Sequence, residues 1–339
     1  ADPALLATEF PDLDLYHPWD LTIDEALAIS TDCEAAALAM DPLISNSEGA
    51  TLNTEAGVGV YGNSNGFNHG YPISRHSISC SVIAKEKGEM QRDYWYSTAR
   101  HSEDLETAVA VGERAARRAL DRLGACKLQT QQSPVIFKAE LAAGLLRSFV
   151  SAIRGSALYR QATFLLDALD TQVFPDWVRI EENPHLPRGL ASAPFDSEGV
   201  ATRRRDLITD GILKGYVLGS YSARKLGLQT TGNAGGVRNL SIGMGDMDLQ
   251  QLMREMGTGL VVTELMGQGV NTITGDYSRG AAGYWVENGE IAFPVEEITV
   301  AANLRDMFRN LVAVGNDDDY SGSVRTGSWL IESMMIAGE

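Results

Sequence analysis

The spacing of apolar residues along the chain predicts a first unit built from helices and strands. Thr22 followed by Glu25 has the pattern of a capping box and predicts a helix that runs to about Met40. Alternating apolar residues around "GVGVY" and two strand-like runs on either side of "EKGE" predict several β-strands. Apolar residues recurring at three and four then predict a second amphipathic helix in "EDLETAVAVGERAARRALDRLG". Residues 21–126 are therefore expected to form one α+β domain of helix, strands and helix.

The rest of the chain has mostly strand-like patterns. "PVIF" predicts a short strand that leads into a helix over "KAELAAGLLRSFVSAIRG", and Asp210-Gly211 predicts a hairpin. Further elements are a short helix in "DLQQLMREMG", a strand in "GLVVTEL", a late helix over "AANLRDMFRNLVAVG" and a last strand in "SWLIESMMIA". Without strict βαβ alternation, this order favours a multi-domain α+β protein with a strand-rich C-terminal domain over residues 131–339. Residues 1–20 have the composition of a linker.

A glycine-rich stretch over residues 280–301 is predicted to be sheet. Asn288-Gly289 lies between two apolar runs, which is the strongest local sign of a type I′ hairpin. The glycines fit neither GxxxxGK[ST] nor GxGxxG, so a phosphate cradle is not expected here.

Charge and cysteine usage narrow the class of partner. Lys and Arg number 28 against 45 Asp and Glu, for a net charge of −17. This charge repels phosphate backbones, so nucleic acid is not expected as a direct partner. The only dense basic run, "TRRRD" at residues 202–206, is read as a solvated strand or turn. No apolar run of about 18 residues predicts a membrane span.

The three cysteines and five histidines predict no disulfide framework and no metal site. Cys33, Cys80 and Cys126 are far apart and odd in number, which favours a reducing cytoplasm. No histidine lies three to five residues from another, so the common zinc spacings are absent.

Ser222 and Lys225 match S-x-x-K, in which a lysine can activate a serine nucleophile. The companion S-D-N and K-T-G elements are missing. The alternative is a serine at the start of a helix with a solvated lysine.

The loop "TTGNAGGVRNL" is a candidate peptide-binding loop, because Gly232, Gly235 and Gly236 would let backbone amides approach a ligand. The alternative is a tight loop that needs positive φ. Asp276 and Arg279 in "TGDYSRG" are a candidate site for a peptide terminus or carboxylate, and a structural Asp–Arg pair is equally compatible with the sequence.

Long motifs over nearly the whole chain resemble the TldD/PmbA family, and specifically its PmbA (TldE) branch. They include "PFDSEGVATRRRDLITDGIL", "GNAGGVRN", "EMGTGLVVTELMGQGVNTITGDYSRGAAGYWVENGEI" and "MFRNLVAVGND". The resemblance implies a cytoplasmic bacterial peptidase system. In it a TldD subunit and a TldE subunit pair to degrade unfolded peptides, to mature a peptide-antibiotic precursor and to remove an antitoxin. Family members usually carry a further N-terminal domain, which this sequence lacks.

The resemblance also implies that this chain lacks the family's metal centre. The TldD branch has H-E-x-x-x-H on a helix after "LL", and a third ligand, a cysteine, after the "VGND" segment. Here Arg147, Ser148 and Ala152 stand at the three motif positions, and no cysteine follows Cys126. No catalytic residue and no metal ligand are therefore assigned to this chain, and zinc is expected in the TldD-like partner.

The expected function is a non-catalytic subunit of a TldD/TldE-type metallopeptidase. The chain would be a homodimer alone and would bind an unfolded peptide by β-augmentation, through strands in residues 259–301 or the loop at residues 232–236. Two alternatives stay open: an independent peptidase with another centre, such as Ser222 with Lys225, and a non-hydrolytic regulator of DNA gyrase.

Overall fold

The computed structural model describes residues 1–318, 320 and 322–338. A central unit contains two helices that pack on each other and on a three-stranded antiparallel sheet of order β1–β2–β3. Its elements in chain order are α1 (Ile23–Ala39), β1 (Ile44–Gly62), β2 (Asn68–Glu86), β3 (Glu89–Ala99) and α2 (Ala108–Leu120).

The ends of these elements follow from local chemistry. The Thr22 side chain accepts from the Glu25 backbone and the Glu25 carboxylate from the Thr22 backbone, which confirms the predicted capping box at the start of α1. Thr107 caps α2 in the same way with its hydroxyl. Strands β1 and β2 are each 19 residues long. Their distal parts, residues 55–62 and 68–75, form a two-stranded ribbon, hereafter the β1–β2 ribbon, that is largely exposed.

The C-terminal unit is strand-rich, as predicted. Its elements are β4 (Gln131–Phe137), α3 (Ala139–Ala152), α4 (Gly155–Tyr159), β5 (Ile180–Glu182), β6 (Arg205–Thr209), β7 (Ile212–Leu213), α5 (Ser220–Leu226), β8 (Leu240–Ile242), α6 (Leu249–Met256), β9 (Gly259–Met266), β10 (Asp276–Glu287), β11 (Glu290–Asn303), α7 (Leu304–Arg309), β12 (Leu311–Val314), β13 (Val324–Arg325) and β14 (Trp329–Ala337).

These strands form two sheets. One has the order β11–β10–β9–β4–β14–β12, and β11 also pairs with β14, so β4, β9, β10, β11 and β14 close into a ring. The other has the order β13–β8–β5–β6–β7. Among the described residues, the largest fully buried side chains are five aromatic ones, followed by Ile and Leu: Phe137, Phe149, Phe174, Phe308 and Trp329.

Both predicted hairpins are present. Asn288 and Gly289 have φ of 54° and 79° between β10 and β11, and Asp210 and Gly211 have φ of 51° and 72° between β6 and β7. Positive φ at both central residues is what a type I′ turn requires.

One expectation from the sequence is wrong. The late helix stops at Arg309, and residues 311–314 form strand β12 instead, because pairing with β14 and burial of Leu311 and Val314 outweigh their helical spacing. Among the strands in residues 259–301, β9 and β10 each have a neighbour on both sides, whereas β11 pairs with β14 only at residues 299–301, so a peptide-binding edge in this range stays a prediction. Strand β1, by contrast, lies at the end of its sheet.

Residues 1–20, which read as a linker, run along the surface of both units. The Ala7 amide donates to the Gly199 carbonyl and the Ser74 amide to the Leu15 carbonyl. In the part of the chain that the structure describes, no helix is both long enough and apolar enough to cross a bilayer.

A cluster of buried charges joins the two units. Arg118 on α2 donates to Asp93 on β3 over 3.0 Å and to Glu140 on α3 over 2.8 Å. Arg122 extends the cluster to Glu264 on β9 at 2.6 Å. These side chains are mostly buried, so water does not stabilise their charges. Each charge is stabilised by its ion-pair partners instead.

Replacing Arg118 with Ala should lower the free energy of unfolding by about 3 kcal/mol, because two buried carboxylates each lose their closest cation. Urea denaturation at about pH 7 measures this. The matched control is Arg92→Ala, which removes an exposed pair with Glu48 and should cost less than about 1 kcal/mol.

The same variant should respond to pH in a defined direction. Burial raises the pKa of Glu140, but Lys138 and Arg118 outweigh it and hold that pKa below its usual value. The wild type therefore gains stability from Glu140 above the ordinary pKa of about 4.3 and loses it as the pH falls through the lower folded value. The variant keeps Lys138 but loses the part of this stabilisation that Arg118 supplies, so the penalty should shrink below about pH 4, where Glu140 is protonated in both proteins. A penalty that stays constant from neutral to acidic pH would contradict this account.

Candidate functional site

One buried carboxylate holds the glycine-rich loop at residues 230–239 in place through hydrogen bonds. Glu182 ends strand β5 and is 2% exposed. It accepts hydrogen bonds from the Arg205 Nε at 3.0 Å, the Asn233 Nδ2 at 2.7 Å and the Arg238 backbone amide at 2.7 Å. Two of these three donors belong to the loop, so the position of Glu182 sets the position of the loop.

Arg205 completes this network. Its guanidinium also donates to the Tyr216 carbonyl and to the Asn233 Oδ1, both at 2.8 Å. Burial lowers the pKa of Arg205, and the charge of Glu182 acts against that effect. Such a desolvated pair is stable only when its remaining donors and acceptors are satisfied, as they are here.

A second buried carboxylate holds the other side of the loop. Asp196 is 1% exposed and accepts from the backbone amides of Glu198 at 2.8 Å, Val200 at 3.0 Å and Ala234 at 2.9 Å. Burial raises the pKa of Asp196, and these three hydrogen bonds oppose the rise. The loop is therefore preorganised from both sides.

The three glycines proposed for peptide binding all have positive φ: 73° at Gly232, 94° at Gly235 and 114° at Gly236. A Cβ on Gly232 would lie 2.6 Å from the Ala201 carbonyl oxygen, so this glycine is required by backbone packing. A Cβ on Gly235 would lie 2.5 Å from the Ser197 Oγ. Gly235 is exposed and Gly236 is buried, so only Gly235 presents its backbone at the surface.

The loop forms one wall of a surface cavity of about 420 Å³. Arg154 and Tyr159 from the start and end of α4, together with Glu198 and Tyr221, line the opposite side. The Glu198 carboxylate accepts from the Ser220 amide at 2.9 Å, so it closes the cavity onto α5.

Asp276 and Arg279 do not form one binding site in the structure. Three residues apart on β10, they lie on opposite faces of the strand. Asp276 accepts from Thr274 at 2.5 Å and from Asn303 at 3.3 Å, while Arg279 donates to the Leu265 carbonyl at 3.3 Å. No acid–base pair links the two.

The positions that match the metal motif lie on α3. Arg147 is exposed, Ser148 donates its hydroxyl to the Gly144 carbonyl at 3.0 Å, and Ala152 is fully buried. The positive charge of Arg147 lowers the pKa values of Tyr96 and Tyr320, but burial has the larger effect and raises both, that of Tyr320 to about 12. A guanidinium thus lies beside two phenols at this surface.

These residues do not fit a metal ion. An arginine, an alanine and a serine hydroxyl already donating to a carbonyl offer no His, Cys or carboxylate ligand. Over residues 1–318, 320 and 322–338, no group of three or more His, Cys, Asp or Glu side chains is placed to hold one. Residues 319 and 321, in the segment where the third ligand would stand, lie outside the described residues.

The Ser222–Lys225 pair has no catalytic arrangement. Ser222 donates its hydroxyl to the Gly219 carbonyl at 3.1 Å, and the Lys225 ammonium lies 5.8 Å from the centre of the Tyr221 ring. A nucleophile would need its base within hydrogen-bond reach.

Reading the sequence missed the residues that organise the loop. Glu182 lies in none of the motifs quoted above, and Asp196 and Arg238 lie inside "PFDSEGVATRRRDLITDGIL" and "GNAGGVRN" without a local pattern that sets them apart from their neighbours. Glu182 does end a short apolar run, "WVRIEE", and that was the one available sign of burial.

Two family models match the chain. The PmbA/TldA metallopeptidase central domain matches residues 16–123, and the PmbA/TldA metallopeptidase C-terminal domain matches residues 130–338. Among curated relatives, Metalloprotease PmbA of Escherichia coli O157:H7 is 56% identical over 339 residues, which cover all of this chain and 75% of that protein. A PmbA homologue of Haemophilus influenzae is 48% identical over the same length, again covering 100% and 75%.

Solved structures share the fold. A candidate modulator of DNA gyrase from Bacteroides thetaiotaomicron superimposes with a TM-score of 0.94 at 30% identity, covering 100% of this chain and 78% of that one. TldE from Thermococcus kodakarensis superimposes with a TM-score of 0.79 at 20% identity, covering 98% and 80%.

Replacing Glu182 with Gln should destabilise the protein by about 3 kcal/mol, because Arg205 stays buried without its counter-charge. Urea denaturation measures the loss, and limited proteolysis should show faster cleavage within residues 230–239. Glu181→Gln is the matched control: its partners Arg204 and Arg179 are over half exposed, so its cost should stay within about 1 kcal/mol. Equal effects of the two variants would contradict the role assigned to Glu182.

Proposed function

This chain belongs to the PmbA/TldA metallopeptidase family, and we propose that it is the non-catalytic subunit of a two-chain peptidase. A TldD-like partner would supply the zinc ion and the catalytic residues. The observation that carries this proposal is the chemistry of α3, where Arg147, Ser148 and Ala152 occupy the positions of the metal motif.

Electrostatics supports the same conclusion. At an effective dielectric constant of about 20, a guanidinium and a cation about 4 Å apart repel each other by about 4 kcal/mol per unit charge. Arg147 is therefore incompatible with a metal ion beside it, and a His at Ala152 would have to replace a side chain that is packed in the core.

The substrate that we propose is an unfolded or extended peptide. Two features support this: the preorganised loop around Gly235 and the β1–β2 ribbon, whose strand β1 has an unpaired edge among the described residues. Main-chain pairing at an edge gives affinity with little dependence on sequence. A cytoplasmic location is part of the proposal, because Cys33, Cys80 and Cys126 are all free thiols.

Neither alternative function gains support. Ser222 lacks a base, and an acidic chain is poorly suited to the phosphate backbone near a DNA-bound gyrase.

Elemental analysis and a peptidase assay test the proposal. The purified chain should contain no stoichiometric zinc and should cleave no unfolded peptide. Mixed with a TldD-like chain it should form an active, chelator-sensitive peptidase. The triple variant Arg147→His, Ser148→Glu, Ala152→His should remain inactive alone, because the cysteine ligand expected after the "VGND" segment is still absent.

One tightly bound zinc per chain, held near residues 147–152, would overturn the proposal. So would peptide cleavage by the isolated chain that survives removal of metal.

The chain should also associate through the β1–β2 ribbon. Val58 and Val60 lie on one face of it and are 66% and 69% exposed, which is the character of a contact surface. Sedimentation should show a dimer for the chain alone and a heteromer with its partner, and Val58→Glu with Val60→Glu should weaken both. Leu27→Glu on α1, at a side chain that is also exposed, is the control and should leave association unchanged. A monomer in both settings would contradict the prediction.

A further inference from the structure

A trough runs along one face of the β1–β2 ribbon and is lined on β1 by residues 55–61. It consists of two adjoining cavities of about 300 Å³ each, which share Gly59 and Ile73 in their linings. Strand register places Glu55 opposite Arg75, Gly57 opposite Ile73 and Gly59 opposite Tyr71 on this face. From residue 55 to residue 61 the trough is about 20 Å long, which matches about six extended residues.

The floor of the trough is backbone. Gly57 and Gly59 have no side chain, and a Cβ added to either would meet nothing within 4 Å. Their peptide groups are therefore accessible from above. Ile73 and Tyr71 flank this floor with apolar surface, and the Tyr71 ring packs edge-on against Phe195 of the C-terminal unit at 5.4 Å. That contact brings the two units together at one end of the trough.

Arg238 lines that end. Its backbone amide is held by Glu182, so the residue has a defined position. Its Nε is buried and has no hydrogen-bond partner, and over the described residues no acid forms an ion pair with its guanidinium. A buried donor without an acceptor is costly, and in native proteins such groups commonly meet a ligand or water.

The acid that shares the trough lining with this arginine does not form an ion pair with it. Asp196 also lines the trough, but its two oxygens accept the three backbone amides described above. The exposed Gly235 keeps the space beside Arg238 open, since a Cβ there would lie 3.6 Å from the Arg238 Nη2. The unpaired positive charge thus faces an accessible, mostly apolar trough.

We propose that this trough binds an extended peptide and that Arg238 pairs with a carboxylate of that peptide. The inference rests on the proposed function and gives it a location and a ligand chemistry. Charge complementarity identifies the peptide group that binds at the Arg238 end of the trough. A guanidinium that has no ion pair within the protein favours a planar anion that accepts two hydrogen bonds, such as a carboxylate. The glycine floor and the apolar flank fit a main chain with small or apolar side chains.

Fluorescence anisotropy with the full chain tests the inference directly. The probes are a labelled hexapeptide of alternating Ala and Leu with a free C-terminal carboxylate, the same peptide as an amide, and the amide ending in Glu. The free acid should bind at least about tenfold tighter than the plain amide, as expected for a charge-assisted hydrogen bond. The amide ending in Glu distinguishes a side-chain carboxylate from a terminal one.

Variants locate the effect. Arg238→Gln should abolish the preference for the free acid, whereas Arg224→Gln, which removes an exposed arginine on α5, should preserve it. Gly59→Val adds a side chain to the trough in open space and should weaken the acid and the amide alike. Equal binding of acid and amide by the wild type, or no binding of either, would overturn the inference.

Three further outcomes separate this inference from the alternatives. If Gly59→Val abolishes association and leaves peptide affinity unchanged, the trough is a protein–protein contact and the inference falls. If an active complex with the TldD-like chain cleaves the hexapeptide with a KM insensitive to Arg238→Gln, the inference falls while the proposed function stands. If the complex cleaves no peptide but the isolated chain prefers the free acid, the proposed function falls and the carboxylate site remains.

Discussion

The desolvated carboxylate of Glu182 is the constraint on which the candidate site depends. Strand β5 places it between β6, which supplies Arg205, and the loop that supplies Asn233 and the Arg238 amide. A desolvated carboxylate needs hydrogen-bond donors in place of water. The glycine-rich loop folds around Glu182 and supplies them. The consequence is a loop with positive φ at several positions that nonetheless has one defined conformation, in a protein whose surface loops are otherwise free to vary.

The central unit contributes in a different way. Its charges at Arg118, Asp93 and Glu140 fix the orientation of the β1–β2 ribbon relative to the C-terminal unit. The ribbon belongs to the central unit, and the glycine-rich loop at residues 230–239 belongs to the C-terminal unit. The distance between the ribbon and the loop therefore depends on this distant charge cluster as well as on the Tyr71–Phe195 contact. A site of this kind responds to substitutions that never touch its ligand.

Much of the fold could be predicted from the sequence, because its signals are local. The capping box at Thr22 and the Asn288-Gly289 turn each depend on residues a few positions apart, and both are as expected. The late helix is shorter than predicted, because residues 311–314 form strand β12. This strand pairs with β14, which is not adjacent to it in the sequence. The site was harder for the same reason: Glu182, Arg205 and Arg238 are more than 20 residues apart from each other, and only the fold makes them one network. Asp276 and Arg279 show the converse case, since they are close in sequence but lie on opposite faces of β10.

The position of β14 in its sheet has a consequence for how the protein is made. This strand lies between β4 and β12 and pairs Ile336 with Gln131, at opposite ends of the C-terminal unit. During synthesis the three strands of the central unit can pair as soon as they leave the ribosome, because each follows its neighbour directly. Strand β4 must wait for some 200 further residues before its second edge is covered. For that interval an apolar edge of "PVIF" is exposed in the nascent chain, so the emergence of β14 sets the moment at which the ring of strands can close.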